Sequence, residues 1–96
     1  MEIIKTASAG TLESSDIMIT LEPQSEGISI DLESSVEKQF GQQIRQVIQE
    51  TLNMMNIKAA HVNAVDKGAL DCTVQARMVA AIARAAETDF RNWKEL

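Results

Sequence analysis

Apolar and polar side chains alternate along residues 16–22, DIMITLE, with Ile17, Ile19 and Leu21 on one face and Met18, Thr20 and Glu22 on the other. That period of two predicts a half-buried strand. Residues 27–33, GISIDLE, repeat it, with Ile28, Ile30 and Leu32 facing inward. Between the two, Pro23, Gln24, Ser25 and Glu26 make a short polar connection, so the pair is expected to form a hairpin. Pairing Leu21 with Ile28, Ile19 with Ile30 and Ile17 with Leu32 keeps every apolar side chain on one face. Upstream, a turn at residues 13–16 would set Leu12 against Ile17, Gly10 against Ile19 and Ser8 against Leu21. Residues 7–13 are therefore expected as a further strand, although Ala, Ser and Gly are weak strand formers.

The period then changes. Ser34 stands three residues before Glu37, the spacing of a capping box. Val36, Phe40, Ile44, Val47, Ile48, Leu52 and Met55 then recur every three or four residues, the stripe of an amphipathic helix that stops near Asn56. Ala60, Val62 and Ala64 alternate with His61 and Asn63, a strand over residues 59–65 that ends in the turn Asp66-Lys67-Gly68. From Ala69 onward, Leu70, Val74, Met78, Ala81, Ile82 and Ala85 mark a second helix in an alanine-rich stretch. The order strand, strand, strand, helix, strand, helix predicts an α+β two-layer domain: a four-stranded sheet in βββαβα order with two helices on one face. The position of the fourth strand is left open. Residues 1–88 are expected to be one domain and residues 89–96 a polar C-terminal tail carrying Phe90 and Trp93.

With 45% apolar residues, four glycines and one proline in 96 residues, the chain has enough surface to bury for one folded domain. No apolar run approaches the roughly 20 residues of a membrane span, and MEIIKTASAG has no secretory core, so a cytoplasmic, membrane-free protein is expected. A net charge of −5 disfavours nucleic acid as a partner, since binding to phosphate backbones draws on Lys and Arg. The single cysteine, Cys72, excludes an intrachain disulfide, and with a single histidine, His61, the chain alone cannot assemble a Cys/His zinc site.

Catalytic parts are scarce. His61 falls on the polar side of a strand and reads as a surface residue, Cys72 as helix packing, and the methionines at helical spacing as core. Gly68 lacks the neighbouring glycines of a phosphate-cradling loop. The turn GTLESSD remains. Its serines are ordinary turn residues, yet a hydroxyl at a hairpin tip is exposed to a modifying enzyme and held on a rigid base. Without an adjacent base, such a serine is a substrate for modification rather than a nucleophilic catalyst.

The stretches AGTLESSDIMITLEP, SSVEKQFGQQIRQVI and DKGALDCTVQARMVAAIARA, in this order and spanning nearly all of the chain but its tail, resemble the acyl carrier (gamma) subunit of citrate lyase. The resemblance implies that residues 1–88 are an acyl-carrier domain with no catalytic residue of its own. Ser14 would carry 2′-(5″-phosphoribosyl)-3′-dephospho-CoA through a phosphodiester, the thiol at the far end of that group holding acetyl or citryl. It implies as partners an alpha subunit that exchanges the acyl group, a beta subunit that cleaves the citryl thioester to oxaloacetate, and a prosthetic-group transferase. Family members often carry glycine where this chain has Ser15; position within the motif favours Ser14 as the attachment residue. The carrier subunit of malonate decarboxylase, which uses the same group, and a non-covalent interaction module are the alternatives.

Overall fold

A computed structural model of the chain describes residues 1–34 and 37–87. The elements follow the expected order: β1 (Ala7–Gly10), β2 (Ile17–Glu22), β3 (Gly27–Ser34), α1 (Glu37–Met54), β4 (Ala59–Asp66) and α2 (Asp71–Ala85). Four strands form one mixed sheet. Both helices pack on the same side of it, α2 over β1 and β2 and α1 over β3. The α+β two-layer architecture is as the sequence predicts. The tail, residues 89–96, lies outside the described residues.

The pairing of β2 with β3 does not form. The sheet order is β1-β2-β4-β3: β4 lies between them, antiparallel to β2 and parallel to β3. The four residues after β2 therefore step across the end of β4, a gap of two strand spacings, roughly 10 Å. Apolar rows then run Leu21–Val62–Ile30 and Ile19–Ala64–Leu32. Alternation fixes which face a side chain takes, and inserting β4 leaves those faces unchanged. Burial explains why β4 is central, since Ala60, Val62 and Ala64 have no exposed surface while β3 is only half-buried at each inward position. The step from β3 through α1 to β4 is a parallel crossover.

β1 also differs from expectation. It ends at Gly10, and its register is one residue away from the expected one: Ala7 pairs with Leu21 and Ala9 with Ile19. A one-residue slip reverses the faces, so Ala9 goes into the core and the Ser8 and Thr20 hydroxyls meet at 2.8 Å on the open face. Gly10 is required there: its φ is +101°, and a Cβ would lie 1.8 Å from the Ile17 carbonyl oxygen.

The core joins Ile17, Ile19 and Leu21 to Ile44, Ile48 and Leu52 of α1 and Val74, Met78 and Ile82 of α2. α1 ends where Asn56 turns left-handed at φ +59°. The Ile57 amide donates to Leu52 and the Asn56 amide to Asn53, which closes the helix end. Phe40 and Leu70, expected on the buried stripes, are 49% and 71% exposed. Leu70 precedes α2 as its N-cap, and Phe40 lies in the first turn of α1. Helix arginines cover the two edge strands, Arg84 donating to the Ser8 carbonyl of β1 and Arg45 to the Ile30 carbonyl of β3.

Candidate functional site

One end of the sheet gathers the segments that the sequence singles out. Ile17 of β2 and Ser34 of β3 both pair with Asp66 of β4, so the loop before β2, the end of β3 and the turn after β4 meet there. The Ser14 turn and Ser34 share this end.

Residues 13–16 close a turn through the Asp16 amide and the Glu13 carbonyl (3.2 Å), with Ser14 and Ser15 at its centre. Both serines are exposed and neither hydroxyl makes a hydrogen bond among the described residues. The turn is stitched to the 66–69 turn: the Ser15 amide donates to the Lys67 carbonyl and the Lys67 amide to the Asp16 carbonyl, both at 2.8 Å. Ser15 holds φ +67°, the left-handed region favoured by glycine.

Asp16 anchors the loop from inside. Its all but buried carboxylate takes two bonds from Arg77 of α2, Nε at 3.0 Å and Nη2 at 2.8 Å. Further bonds come from the Thr11 hydroxyl at 2.6 Å and the Ile17 amide at 2.7 Å. The Arg77 guanidinium first, and then these two donors, hold the Asp16 carboxyl far below the usual carboxylate range. The charge of Asp16 is thus compensated by Arg77, and Asp16 serves as a structural pin. Thr11 in turn accepts from the Glu13 amide. The 66–69 turn is pinned in the same way: the buried Asp66 accepts from the Gly68 and Ala69 amides at 3.1 and 3.0 Å and from the Ser34 hydroxyl at 2.8 Å. Ser34 therefore closes the strand end against Asp66; residues 35 and 36, through which it would cap α1, lie outside the described residues.

Sequence pattern alone does not reveal Thr11, Lys67 and Arg77. Arg77 is 61 positions from Asp16, and its only local signal is a cation standing next to Met78 on an alanine-rich helix. Other expectations are sorted by the structure. Cys72, expected in the packing, is exposed, because it sits in the first turn of α2 on the side away from Val74. Met55 and Met78 are core as expected, whereas Met54 is 46% exposed. His61 lies on the open face, 2.7 Å from Asp31 and 3.4 Å from Glu22. It stands five residues from Asp66 along β4, roughly 17 Å at strand rise, so Ser14 and His61 do not form a catalytic pair. Among the described residues no group of three or more His, Cys, Asp or Glu could hold a metal ion, and no helix is long and apolar enough to cross a membrane.

A family model described as "ACP: Malonate decarboxylase delta subunit (MdcD)" matches residues 4–85. A "Citrate lyase acyl carrier protein" of Streptococcus uberis is 65% identical over 96 residues, covering 100% of this chain and 95% of the relative. The chain belongs to the citrate lyase acyl carrier protein family. A second family member, from Streptococcus mutans, is 61% identical over 97 residues with the same coverage. Among solved structures, a chain of a Pseudomonas malonate decarboxylase hetero-tetramer in complex with malonate superposes with a TM-score of 0.76 at 21% identity, covering 86% of each chain. That likeness shows that this chain shares its fold with a chain of that hetero-tetramer.

Proposed function

We propose that this chain is the acyl carrier subunit of citrate lyase and that Ser14 is its attachment residue, carrying 2′-(5″-phosphoribosyl)-3′-dephospho-CoA. The observation that carries the reading is an exposed hydroxyl, without a hydrogen-bond partner among the described residues, at the centre of a turn fastened on both sides, to Lys67 by backbone bonds and to Arg77 through Asp16. The residues present suit such a group: Ser14 is accessible to a transferase, and the neighbouring Asp16 charge is already compensated. The group, when bound, supplies a thiol whose thioester holds acetyl or citryl.

The chain's own contribution is mechanical and electrostatic. Ser14 provides an oxygen but no base to activate it, so the transferase must take its proton as the Oγ–phosphorus bond replaces a phosphoanhydride bond of an activated precursor. The Asp16–Arg77 pin and the Asp66 turn hold the origin of the arm still while its far end moves between an acyl-exchanging alpha subunit and a citryl-cleaving beta subunit. No residue of the chain takes part in either step, and the protein acts in the cytoplasm. Malonate decarboxylase is the second reading, favoured by the family model and the superposition. Identities of 60–65% to citrate lyase carriers against 21% to the malonate decarboxylase chain support citrate.

The test is the intact mass of the protein from citrate-grown host cells, with peptide mapping across residues 11–18. The wild type and Ser15→Gly are expected to carry the added mass and Ser14→Ala to be bare. A native chain without adduct, or an adduct that survives in Ser14→Ala, overturns the reading. Acyl exchange with malonate in preference to citrate would select the second one.

A further inference from the structure

We infer that the groove beside the Ser14 turn, lined by Gly68 next to Lys67 in the chain, binds the adenine nucleotide of the tethered arm, so that the arm has a docked position on its own carrier. This rests on the attachment reading above and adds a binding site to it. The groove, of about 380 Å³, lies between the start of α1 and the turn before α2, within the size range of small-ligand sites. Its apolar walls are Phe40, Ile44, Ala69 and Leu70. Phe40 and Leu70 are two of the five large apolar side chains left exposed among the described residues, and a third, Leu12, belongs to the attachment loop itself.

Position and charge choose the occupant. Gly68 lines the groove, and the backbone of the preceding residue, Lys67, is bonded to Ser15 and Asp16. A group tethered to Ser14 therefore starts on the turn bonded to the residue next to the groove's lining. Of the two cations built against the loop, Arg77 is spent on Asp16, whereas the exposed Lys67 ammonium has no hydrogen bond or ion pair among the described residues. A phosphodiester at Ser14 supplies the anion it lacks. Beyond the phosphoribosyl link comes the adenosine of the dephospho-CoA, whose ribose carries a purine, flat and apolar on its faces, which suits a wall made by Phe40 and Leu70. At the rim the Gln43 side-chain amide donates to Asp71 at 2.7 Å, leaving the Gln43 carbonyl oxygen and the second Asp71 oxygen as acceptors for an exocyclic amine. Adenine offers that amine; guanine would place a carbonyl there.

The test uses the modified carrier purified from its host, with the adduct at Ser14 verified by mass, and proton and phosphorus NMR. The adenine H2 and H8 signals are expected to show cross-relaxation to the Phe40 ring and Leu70 methyls, and to be displaced from their positions in the modified 11–18 peptide. Phe40→Ser and Leu70→Ser, both at exposed positions, should return them to the peptide values while amide shifts of the core stay in place. Lys67→Gln should remove the salt dependence of the phosphodiester signal. Wild-type adenine signals equal to those of the peptide overturn the inference. So does a Phe40→Ser carrier that keeps the displaced signals but binds its catalytic subunits more weakly, which would make the groove a protein-docking face. A bare Ser14 instead overturns the attachment reading, a separate outcome read from the mass before any NMR.

Discussion

At the scale of single residues the Ser14 turn combines a strained backbone with strong anchoring. Ser15 occupies φ +67°, where an L side chain is disfavoured by about 1 kcal/mol or more. Glycine removes that cost but raises the entropy of the unfolded chain by a comparable amount, about 0.5–1 kcal/mol. Ser15→Gly is therefore expected to match or slightly exceed the wild type in stability, whereas at an ordinary strand or helix position the same change destabilises. Ser15→Val, β-branched in the same region, should lose about 1–2 kcal/mol. Urea denaturation of the three proteins checks the order; a glycine variant less stable than the valine one would mean that Ser15 is not left-handed in solution.

At the scale of elements, the close approach of β1 to the start of β2 depends on Gly10, whose added Cβ would sit 1.8 Å from a backbone oxygen. Gly10→Ala must push the two strands apart at the end that holds the Ser14 turn. A loss of about 3 kcal/mol is expected, which for a domain of this size corresponds to a fall in Tm of roughly 15 °C. Thermal unfolding measures it, and a shift of only a few degrees would show that the hairpin can widen freely. The same region shows what the sequence makes legible. Alternation and helical period set the type and order of all six elements because each depends on neighbours two to four residues away. The neighbour of β2 does not: choosing β4 over β3 compares the burial of Val62 and Ala64 with that of Ile30 and Leu32, 32 positions away. The register of β1 fell one residue away because Ala7 and Ala9 give a weak inward signal beside Ser8 and Gly10. The exposed turn that holds Ser14 was legible from its run of turn residues, while Arg77, Lys67 and the Phe40–Leu70 groove become visible only once β4 and α2 stand against the loop.

At the scale of the whole molecule, two helices cover one face of the sheet and no described element covers the other, and on that face His61 ties three strands together. From the central β4 its ring reaches Asp31 on β3 at 2.7 Å and Glu22 on β2 at 3.4 Å. The hydrogen bond to Asp31 raises the pKa of the imidazole, opposed by partial desolvation and aided by the charges of Asp31 and Glu22. Because the folded-state value lies above the unfolded one, the folded protein holds this proton more tightly. The resulting stabilisation is complete below the ordinary histidine value of about 6.5 and fades as pH rises through the raised folded-state value. In a chain of net charge −5, whose β2 and β3 are joined only through β4, loss of that proton also restores repulsion between Glu22 and Asp31. Wild type is therefore expected to exceed His61→Gln in stability by more at about pH 6 than at about pH 8.5, with the gap narrowing between them. Urea midpoints across that range supply the measurement. A gap that stays constant, or widens with pH, would mean that the neutral ring holds the strands together as a hydrogen-bonding side chain and that its charge adds nothing.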